Sequence, residues 1–308
     1  MSDRGMSASP SIVCIGLSTL DHIWQADYLP GADLSKVRAN RYVTAGGGMA
    51  ATAAVTIARL GGDAHFWGRA GDDPAGRLMH EELTAEGVDA SGFRLFPGAR
   101  SSVSGVFVGE QGERHIVNFR GHGLPEAAGW LPLEKIGVAA AVLSDPRWPD
   151  GTEAVFAAAR RAGIPTVLDA DVADSDVFER LLPLTDHAIF SEPALSGFGG
   201  LDRGAALDRV AGRYGCRVSA VTLGEAGVEW REDGKARRLA AFSVAVVDTN
   251  GAGDVFHGAY AFAMGAGMAV SEAMAFASAA AALKCARPVG RGGIPTFDEI
   301  AEFQRNRA

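Results

Sequence analysis

An aspartate beside a glycine-rich turn is the residue of this chain whose surroundings most clearly suggest chemistry. Asp254 follows the small-residue turn Thr249–Gly253 and opens an apolar segment with helical spacing. The β-branched residues Val244, Val246 and Val247 precede the turn, so the pattern predicts a strand, a tight turn and a helix. The bare N–H groups at such a helix start attract an anion, and glycine lets the anion approach closely. A carboxylate there either stabilises the helix start or accepts a proton from an attacking hydroxyl.

Composition limits the classes of protein to which the chain can belong. The 308 residues are 47% hydrophobic and carry a net charge of −8, which allows a large core and argues against a nucleic-acid surface. Cys14, Cys216 and Cys285 are far apart and lack metal-binding spacing, which is typical of a reducing compartment. The sequence has no apolar run long enough to span a bilayer, and residues 1–10 lack a signal-peptide core. We therefore expect a soluble cytoplasmic protein without nucleic-acid or membrane partners.

Short buried runs with strand character alternate with helical patterns along most of the chain. The predicted strands are Ile12–Gly16, His65–Trp67, Ala140–Ser144, Thr166–Asp169, His187–Phe190 and Ser219–Leu223. The predicted helices are Met49–Leu60, Gly76–Glu86, Thr152–Ala162, Ala205–Tyr214, Gly253–Met264 and Glu272–Lys284. Alternation of this kind predicts an α/β fold with a mostly parallel sheet and helices on both faces.

Two segments depart from the alternation. Ile23–Thr44 and Phe93–Asn118 carry strand and turn signals with little helical pattern. In the second segment, Ser101–Val108 and His115–Phe119 flank Glu110–Glu113, which predicts a hairpin. We expect the two segments to pair into a small sheet that covers a site and excludes water from it.

A second glycine signal lies at Gly46–Ala51 and matches the dinucleotide fingerprint G-x-G-x-x-A. The fingerprint should follow the first core strand, but the first predicted strand is Ile12–Gly16. The next strand, Ala64–Arg69, lacks an acidic residue at its end to bind a ribose. A helix start packed against a small molecule is therefore favoured over a nicotinamide-dependent dehydrogenase.

Both glycine segments together resemble those of the ribokinase-like (PfkB) carbohydrate kinase family. Gly47-Gly48 opens a helix that ends at Ala58–Gly61, and the second motif is Asp248–Asp254. The resemblance covers about Ile12 to Phe303 and implies a three-layer α/β/α fold with a β-sheet lid. It implies a kinase domain over 11–303, lid segments at about 23–44 and 93–119, and tails 1–10 and 304–308.

The resemblance also implies an activity, namely transfer of the ATP γ-phosphoryl group to a sugar hydroxyl. Mg²⁺ is the implied metal, K⁺ is a further candidate ion, and a lid-mediated homodimer is a candidate assembly. Asp254 matches the general base, and the residues that match the anion hole are Gly251, Ala252 and Gly253. Asp21 matches an aspartate that binds sugar hydroxyls, beside Gly47 and Gly48. Thr52 stands where the family usually has an asparagine.

Further residues match the nucleotide and metal sites of the family. The residues on the nucleotide side are Thr222, Gly224, Gly227, Asn250, Lys284, Arg287 and Gly290, with Ala286–Pro288 near the adenine. The magnesium motif N-x-x-E falls at Ser191–Ala194, where both named residues are replaced. Glu192 is the candidate substitute, and Asp169 and Asp171 are the other metal candidates.

Three segments narrow the resemblance to a subgroup. Val43–Ala54, Asp186–Pro193 and Ala282–Pro288 are similar to the bacterial sulfofructose kinases, which phosphorylate O1 of 6-deoxy-6-sulfofructose. The residues that match the sulfonate pocket of the subgroup are Lys36, Asn118 and Arg147.

The chemistry of these three side chains agrees with an anionic sugar substrate. A sulfonate is a monoanion with three acceptor oxygens, and a guanidinium, an ammonium and an amide can all donate to it. Taken singly, Lys36 and Arg147 are by default ordinary solvated side chains, and the resemblance is what favours the pocket. A kinase for a sugar phosphate, such as 6-phosphofructokinase or tagatose-6-phosphate kinase, remains an alternative, because a phosphate suits the same cations. A neutral-sugar fructokinase or ribokinase and a non-catalytic sugar-binding regulator are less favoured.

Overall fold

The computed structural model describes residues 9–29, 31, 36–110, 114–200, 202–287 and 290–307. Its strands are β1 (Ser11–Gly16), β2 (Thr19–Gln25), β3 (Arg41–Gly47), β4 (Asp63–Gly71), β5 (Asp89–Phe96), β6 (Val103–Val108), β7 (Arg114–Phe119), β8 (Ala141–Ser144), β9 (Thr166–Ala170), β10 (His187–Ser191), β11 (Val218–Thr222), β12 (Val228–Glu232) and β13 (Lys235–Leu239). Its α-helices are α1 (Met49–Arg59), α2 (Pro74–Ala85), α3 (Pro149–Ala162), α4 (Ser175–Leu181), α5 (Glu192–Gly199), α6 (Arg203–Tyr214), α7 (Ala252–Gly265), α8 (Val270–Cys285) and α9 (Phe297–Arg305). The strands and helices predicted from the sequence are confirmed, apart from the strand before the glycine turn.

A nine-stranded sheet forms the centre of the fold, in the order β13-β12-β11-β10-β9-β8-β1-β4-β5. Its strands are parallel except at one end, where β12 is antiparallel to β11 and β13 to β12. The chain proceeds from β1 to β4 and β5 on one side, and from β8 towards β13 on the other. At such a reversal of strand order, the connections part and leave a crevice beyond the carboxyl ends of the strands.

The two faces of this sheet bury two separate cores, which confirms the three-layer arrangement. On β1, Ile12 and Cys14 join the core beneath α1, α7 and α8, whereas Val13 and Ile15 join the core beneath α3 to α6. Successive side chains of a strand point to opposite faces, so a fully apolar run is required where both faces are covered. Within the described ranges, no helix combines the length and apolar composition needed to cross a bilayer.

The two departing segments pair into a four-stranded sheet, in the order β3-β2-β6-β7. β2 is antiparallel to β3 and parallel to β6, and β6 and β7 form the predicted hairpin, whose residues 111–113 lie outside the described part. One transverse row of this sheet contains Ala45, Asp21, Ser104 and Asn118, one residue from each strand. Residues in such a row project from the same face of the sheet.

The boundaries of the small sheet differ from the predicted lid segments. The first segment is wider than 23–44, since β2 begins at Thr19 and β3 ends at Gly47. The second starts later than residue 93, because Phe93–Phe96 belongs to β5 and pairs with β4 in the large sheet. The predicted tail at 304–308 is also corrected, because α9 continues to Arg305.

The predicted strand before the glycine turn is wrong. Val246 and Val247 are 64% and 57% exposed, and their segment has no strand partner among the described residues. Instead, the N–H groups of Val247 and Asp248 both donate to the carbonyl oxygen of Cys285, at 2.8 and 3.1 Å. The backbone of this segment is thus hydrogen-bonded to the end of α8 and not to a neighbouring strand.

Candidate active site

A cleft lies where the small sheet, the start of α1, the start of α7 and the segment after α8 meet. Its lining residues are Asp21, Gly46, Gly47, Gly48, Thr52, Asn250, Gly251, Asp254, Lys284, Gly290, Arg291 and Ile294. Nine of these were predicted as site residues from the sequence: Asp21, Gly47, Gly48, Thr52, Asn250, Gly251, Asp254, Lys284 and Gly290. A larger groove on the small sheet is lined by Trp24, Ala26, Tyr28, Leu29, Val37, Ala39, Phe107 and Val108, which offer neither a carboxylate nor a histidine.

Glycine is required at the start of α1 by close approach and by backbone conformation. A Cβ on Gly47 would lie 2.2 Å from Oδ2 of Asp21, so the carboxylate rests directly against the glycine backbone. Gly48 has a φ of +92° and caps α1, and a Cβ there would lie 2.4 Å from the carbonyl oxygen of Leu17. Burial raises the pKa of Asp21, while a hydrogen bond with Ser104 opposes the rise. The result is a carboxylate held against the opening of a helix.

Asp145 joins three segments at the point where the strand order reverses. Its Oδ2 accepts hydrogen bonds from the N–H groups of Leu17 at 2.8 Å and Ala50 at 3.1 Å, and its Oδ1 accepts from the N–H of Arg147 at 2.8 Å. The side chain is fully buried, and a Cβ on Gly16 would clash with it. Asp145 was not predicted from the sequence, although a polar residue directly after a buried strand marks the carboxyl edge of a parallel sheet.

Asp254 lies in the first turn of α7, behind the left-handed cap Gly251 with a φ of +73°. Burial and, after it, the charge of Asp169 raise the pKa of Asp254 to about 7. A carboxylate with a pKa near neutrality can accept a proton during catalysis and release it again. The geometry therefore suits the base that the sequence predicted.

The raised pKa of Asp254 predicts how the catalytic efficiency depends on pH. Below about 7, Asp254 of the free enzyme is protonated and cannot accept a proton, so kcat/KM should be retained above this pH and fall about tenfold per unit below it. The measurement is kcat/KM from pH 5.5 to 8.5 at subsaturating substrate, with circular dichroism at each pH as the control for folding. A kcat/KM that stays constant down to pH 5.5 in folded protein would contradict a base of this pKa.

The predicted anion hole is an open helix start, and one of its three backbone N–H groups already has a hydrogen-bond partner. A Cβ on Gly253 would meet no atom of the described residues within 4 Å, so the backbone there is accessible. The N–H of Ala252 donates to the carbonyl oxygen of Thr249 at 3.3 Å and is less available to a ligand. The remaining N–H groups of the first turn lack helical partners by geometry and can bind anionic oxygens.

An ion pair orders the turn in front of this helix start. Nζ of Lys284, which is 1% exposed, lies 3.3 Å from Oδ2 of Asp248. The other carboxylate oxygen, Oδ1, accepts the N–H of Asn250 at 2.9 Å. Lys284, predicted on the nucleotide side, is therefore placed where its charge reaches the turn of the predicted anion hole.

Substitution of Gly253 tests whether the helix start receives phosphoryl oxygens. Gly253→Val should lower kcat at least about 10²-fold, with a much smaller rise of the sugar KM, because the side chain would occupy the space of the anion. Gly212→Val is the matched control, since Gly212 is also a helical glycine with open space around its Cα, on α6. A raised sugar KM with unchanged kcat would contradict this role, because the turn would then contact the sugar and not the phosphoryl group.

The predicted metal ligands do not converge. Glu192 is exposed at the start of α5 and forms an ion pair with Arg203 at 2.8 Å. Asp169 is buried against His257, with 3.3 Å between its Oδ2 and Nδ1 of the imidazole. Among the described residues, no three His, Cys, Asp or Glu side chains are arranged to hold a metal ion. The side chains of the described part of the chain therefore offer no preformed protein cage for Mg²⁺.

The other predicted nucleotide residues lie around the carboxyl end of β11 and the end of α8. Thr222 ends β11 and donates to the carbonyl oxygen of Phe190, and Gly224 and Gly227 both have positive φ in the following turn. A Cβ on Gly227 would lie 2.0 Å from the carbonyl oxygen of Leu239, so packing alone requires that glycine. The guanidinium of Arg287 is engaged by Glu299, at 3.1 and 2.6 Å.

Two further nucleotide predictions concern the segment after α8. Gly290 lines the same cleft as Asp21, so it does not lie only at the adenine end where it was predicted. Pro288, the last residue of the predicted adenine-side run, lies outside the described residues.

The three predicted sulfonate-binding residues are not gathered into the cleft in this conformation. Lys36 is exposed in the connection between β2 and β3. Asn118 shares the transverse row of Asp21, and its Nδ2 donates to Ser104 Oγ at 3.0 Å. Arg147 donates to Asp171 Oδ2 at 2.9 Å and to the carbonyl oxygen of Val172 at 2.6 Å.

Arg291 is a cleft residue that was not predicted from the sequence, and it is 8% exposed. Its Nη2 donates to the carbonyl oxygen of Gly47 at 2.9 Å, and its Nε lies 3.4 Å from Oγ1 of Thr52. A lone arginine among glycines at 290–293 carries no local signal that it returns to the start of α1.

Comparison with known proteins assigns the chain to a family. The profile of the pfkB family of carbohydrate kinases matches residues 9–296. The chain belongs to this family. It is an ATP-dependent carbohydrate kinase with the ribokinase-like α/β fold.

Relatives of this pfkB family kinase include enzymes named for two different sugars. It is 34% identical to a fructokinase from Klebsiella pneumoniae, over 68% of this chain and 74% of that one. It is 28% identical to a ribokinase from Haemophilus influenzae, over 95% and 98% of the two chains.

Solved structures of the family superpose closely on this kinase. The crystal structure of a ribokinase-like protein from Agrobacterium tumefaciens has a TM-score of 0.93 at 38% identity, and covers 97% of this chain and 99% of that one. The Arabidopsis thaliana ribokinase complexed with ribose and ATP has a TM-score of 0.85 at 27% identity, and covers 96% and 99%.

Proposed function

We propose that this kinase transfers the γ-phosphoryl group of ATP to O1 of 6-deoxy-6-sulfofructose, with Asp254 as the general base. The sugar lies in the cleft with its ring hydroxyls against Asp21 and the backbone of Gly47 and Gly48. The placement of Asp254 beside an open helix start, across the cleft from Asp21, is the observation that carries the catalytic part of the proposal.

The groups of the sugar, ATP and Asp254 account for each bond and proton of the transfer step. O1 of the sugar forms a bond with the γ-phosphorus as the bond between this phosphorus and the β,γ-bridging oxygen breaks. The proton of the O1 hydroxyl passes to the carboxylate of Asp254, and ADP leaves with the bridging oxygen. The N–H groups at the start of α7 stabilise the negative charge on the phosphoryl oxygens, and such electrostatic positioning supplies most of the rate in phosphoryl transfer.

The small sheet acts as a lid in this proposal. It contributes Asp21 and, in the same transverse row, Ser104 and Asn118, so one face of the sheet presents polar groups to the sugar. Closing the sheet over the cleft would exclude water, which otherwise competes with the sugar hydroxyl for the phosphoryl group.

The sulfonate part of the proposal rests on how Arg147 is held. Asp145 binds the N–H of Arg147 with one oxygen and the N–H of Ala50, in the first turn of α1, with the other. Arg147 is therefore fixed relative to the helix that opens with Gly47 and Gly48. Its guanidinium has five donors, of which Asp171 and Val172 occupy two, so donors remain for a sulfonate.

One observation favours a neutral sugar as the second candidate. Arg147 already has an anionic partner, Asp171, at 2.9 Å, and a cation paired in this way does not require an anion from the substrate. A fructokinase or ribokinase activity, as named for the relatives above, would agree with that pairing. A sugar phosphate is the third candidate, since a phosphate would compete for Arg147 as a sulfonate does.

Parallel kinase assays decide between these candidates. Wild-type protein should give a kcat/KM for sulfofructose at least tenfold above the values for fructose 6-phosphate, fructose and ribose, measured at one ionic strength. The Asp254→Asn protein is the control for contaminating kinases. A preference for fructose 6-phosphate would keep the anion pocket and exclude the sulfonate, whereas a preference for fructose or ribose would exclude the anion pocket itself.

A further inference from the structure

Arg291 connects the C-terminal part of the cleft to the glycine turn that opens α1. Its turn, Gly290–Gly293, follows α8, while its hydrogen-bond partners are the carbonyl oxygen of Gly47 and the hydroxyl of Thr52. These contacts fix the orientation of the peptide between Gly47 and Gly48. The backbone that faces the sugar is thereby held by a residue far along the chain.

Carboxylates from three different elements face the buried guanidinium. They are Asp21 on β2, Glu82 on α2 and Asp254 on α7, with Glu86 as a weaker contributor. A buried arginine is costly without such partners, so the four groups stabilise one another as a set. Burial raises the pKa of both Asp21 and Glu82, and the charge of Arg291 lowers it.

The packing around Arg291 shows that this arrangement is built into the turn. A Cβ on Gly46 would lie 2.2 Å from Nη1 of Arg291 and 2.4 Å from Oε2 of Glu82, so a side chain at this position would have to displace one of the pair. Nη1 is buried without a hydrogen-bond partner among the described residues. The guanidinium therefore serves this site through its charge as well as through its two hydrogen bonds.

We propose that Arg291 is a positioning residue for the sugar, which holds the Gly47 peptide in its binding orientation and places a positive charge in the cleft that Asp21 lines. The inference rests on the proposed function, in which Asp21 and the glycine turn bind the sugar hydroxyls. Protonation would turn one oxygen of Asp21 into a donor and would weaken the hydrogen bonds that its carboxylate accepts from the sugar hydroxyls. Arg291 thus acts on the sugar through Asp21 and Gly47.

The test compares Arg291→Met and Arg291→Lys with a control for a merely structural link. Arg59→Met is that control, because Arg59 lies on α1 and also contacts the Gly290–Gly293 turn, through the carbonyl oxygen of Gly292, but outside the cleft. The readouts are the KM of the best sugar substrate, the KM of ATP and kcat, each from pH 5.5 to 8.5. Using the best sugar makes the result independent of the sulfofructose assignment.

Arg291→Met should raise the sugar KM at least about tenfold at pH 8, with less than about a twofold change in the ATP KM. The effect should grow as the pH falls, since loss of the positive charge raises the pKa of Asp21 and protonation then begins at higher pH. The other charged groups near Asp21 are Glu82, Asp254, His22 on its own strand and Lys284 in the cleft lining. Arg291→Lys should keep the wild-type pH dependence, because it keeps the charge while losing one hydrogen bond.

Two results would overturn the inference. One is an equal rise of the sugar KM in Arg291→Met and Arg59→Met, and the other is a pH dependence of the sugar KM that is the same in Arg291→Met and the wild type. If Arg291→Met does not fold, Arg291→Lys tests the inference instead. In that variant, a pH dependence of the sugar KM that differs from the wild type would contradict the role of the charge. Asp21→Asn distinguishes a failure of the Arg291 inference from a failure of the proposed function. An unchanged sugar KM in Asp21→Asn would show that Asp21 does not bind the sugar, which contradicts the proposed function itself.

Discussion

Asp254→Asn should lower kcat by about 10²- to 10⁴-fold and leave the binding of sugar and nucleotide largely intact. Asparagine keeps the size of the side chain and its place in the first turn of α7, but it cannot accept the proton of the attacking hydroxyl. The measurement combines steady-state turnover with calorimetric titration of ATP and of the sugar.

A matched control separates the chemical role of Asp254 from stabilisation of the helix start. Asp176 occupies the first turn of α4 and is exposed, so Asp176→Asn removes the same kind of charge–dipole interaction without touching the cleft. Near-normal turnover in Asp254→Asn, or equal small losses in both variants, would mean that Asp254 only stabilises its helix.

Arg147→Ala should raise the KM for sulfofructose steeply and hardly change the KM for fructose, which carries no anion at C6. Removing one partner of a desolvated charge pair typically costs about 2–5 kcal/mol, enough to reverse a preference for the charged sugar. Arg147→Lys should restore little, because a point charge cannot reproduce the planar fork of the guanidinium. The measurement is kcat/KM for both sugars with each variant.

Arg180→Ala is the control for this prediction, since Arg180 also bonds carboxylates, Asp150 and Glu153, but lies on α4. If Arg147→Ala weakens both sugars equally, the residue supports the fold through Asp171 and does not bind an anion. If the variant loses stability no more than Arg180→Ala and keeps its sulfofructose KM, the sulfonate pocket lies elsewhere or does not exist.

Much of the fold could be predicted because its signals are local. Helix α1 and the glycine turn before α7 both carry their boundaries in adjacent residues, so the predictions there are confirmed. The hairpin of β12 and β13 was missed although Asp233-Gly234 forms its turn, with φ of +50° and +72°. An Asp-Gly pair between alternating residues is a hairpin signal that the sequence does contain.

What could not be predicted depends on where distant segments meet. The residues Val244, Val246 and Val247 have strand propensity, but the N–H groups of Val247 and Asp248 bond to the end of α8, which no local pattern specifies. The position of Arg291 could not be predicted for the same reason, because its partners Gly47 and Thr52 belong to another part of the chain. Propensity describes a segment, whereas a site between segments is decided by tertiary contacts.

The contact between Arg291 and Gly47 joins residues 244 positions apart, and this separation has a consequence for folding. A loop of this length closes late, since non-local contacts form only after the entropy of closure has been overcome. The sheet and its first helices can form while the last segment is still being synthesised, but the turn at Gly47 would then lack the buried guanidinium of Arg291. Recovery of activity during refolding should therefore lag behind recovery of secondary structure, and a ribosome-bound chain that stops before residue 290 should be folded in part and inactive.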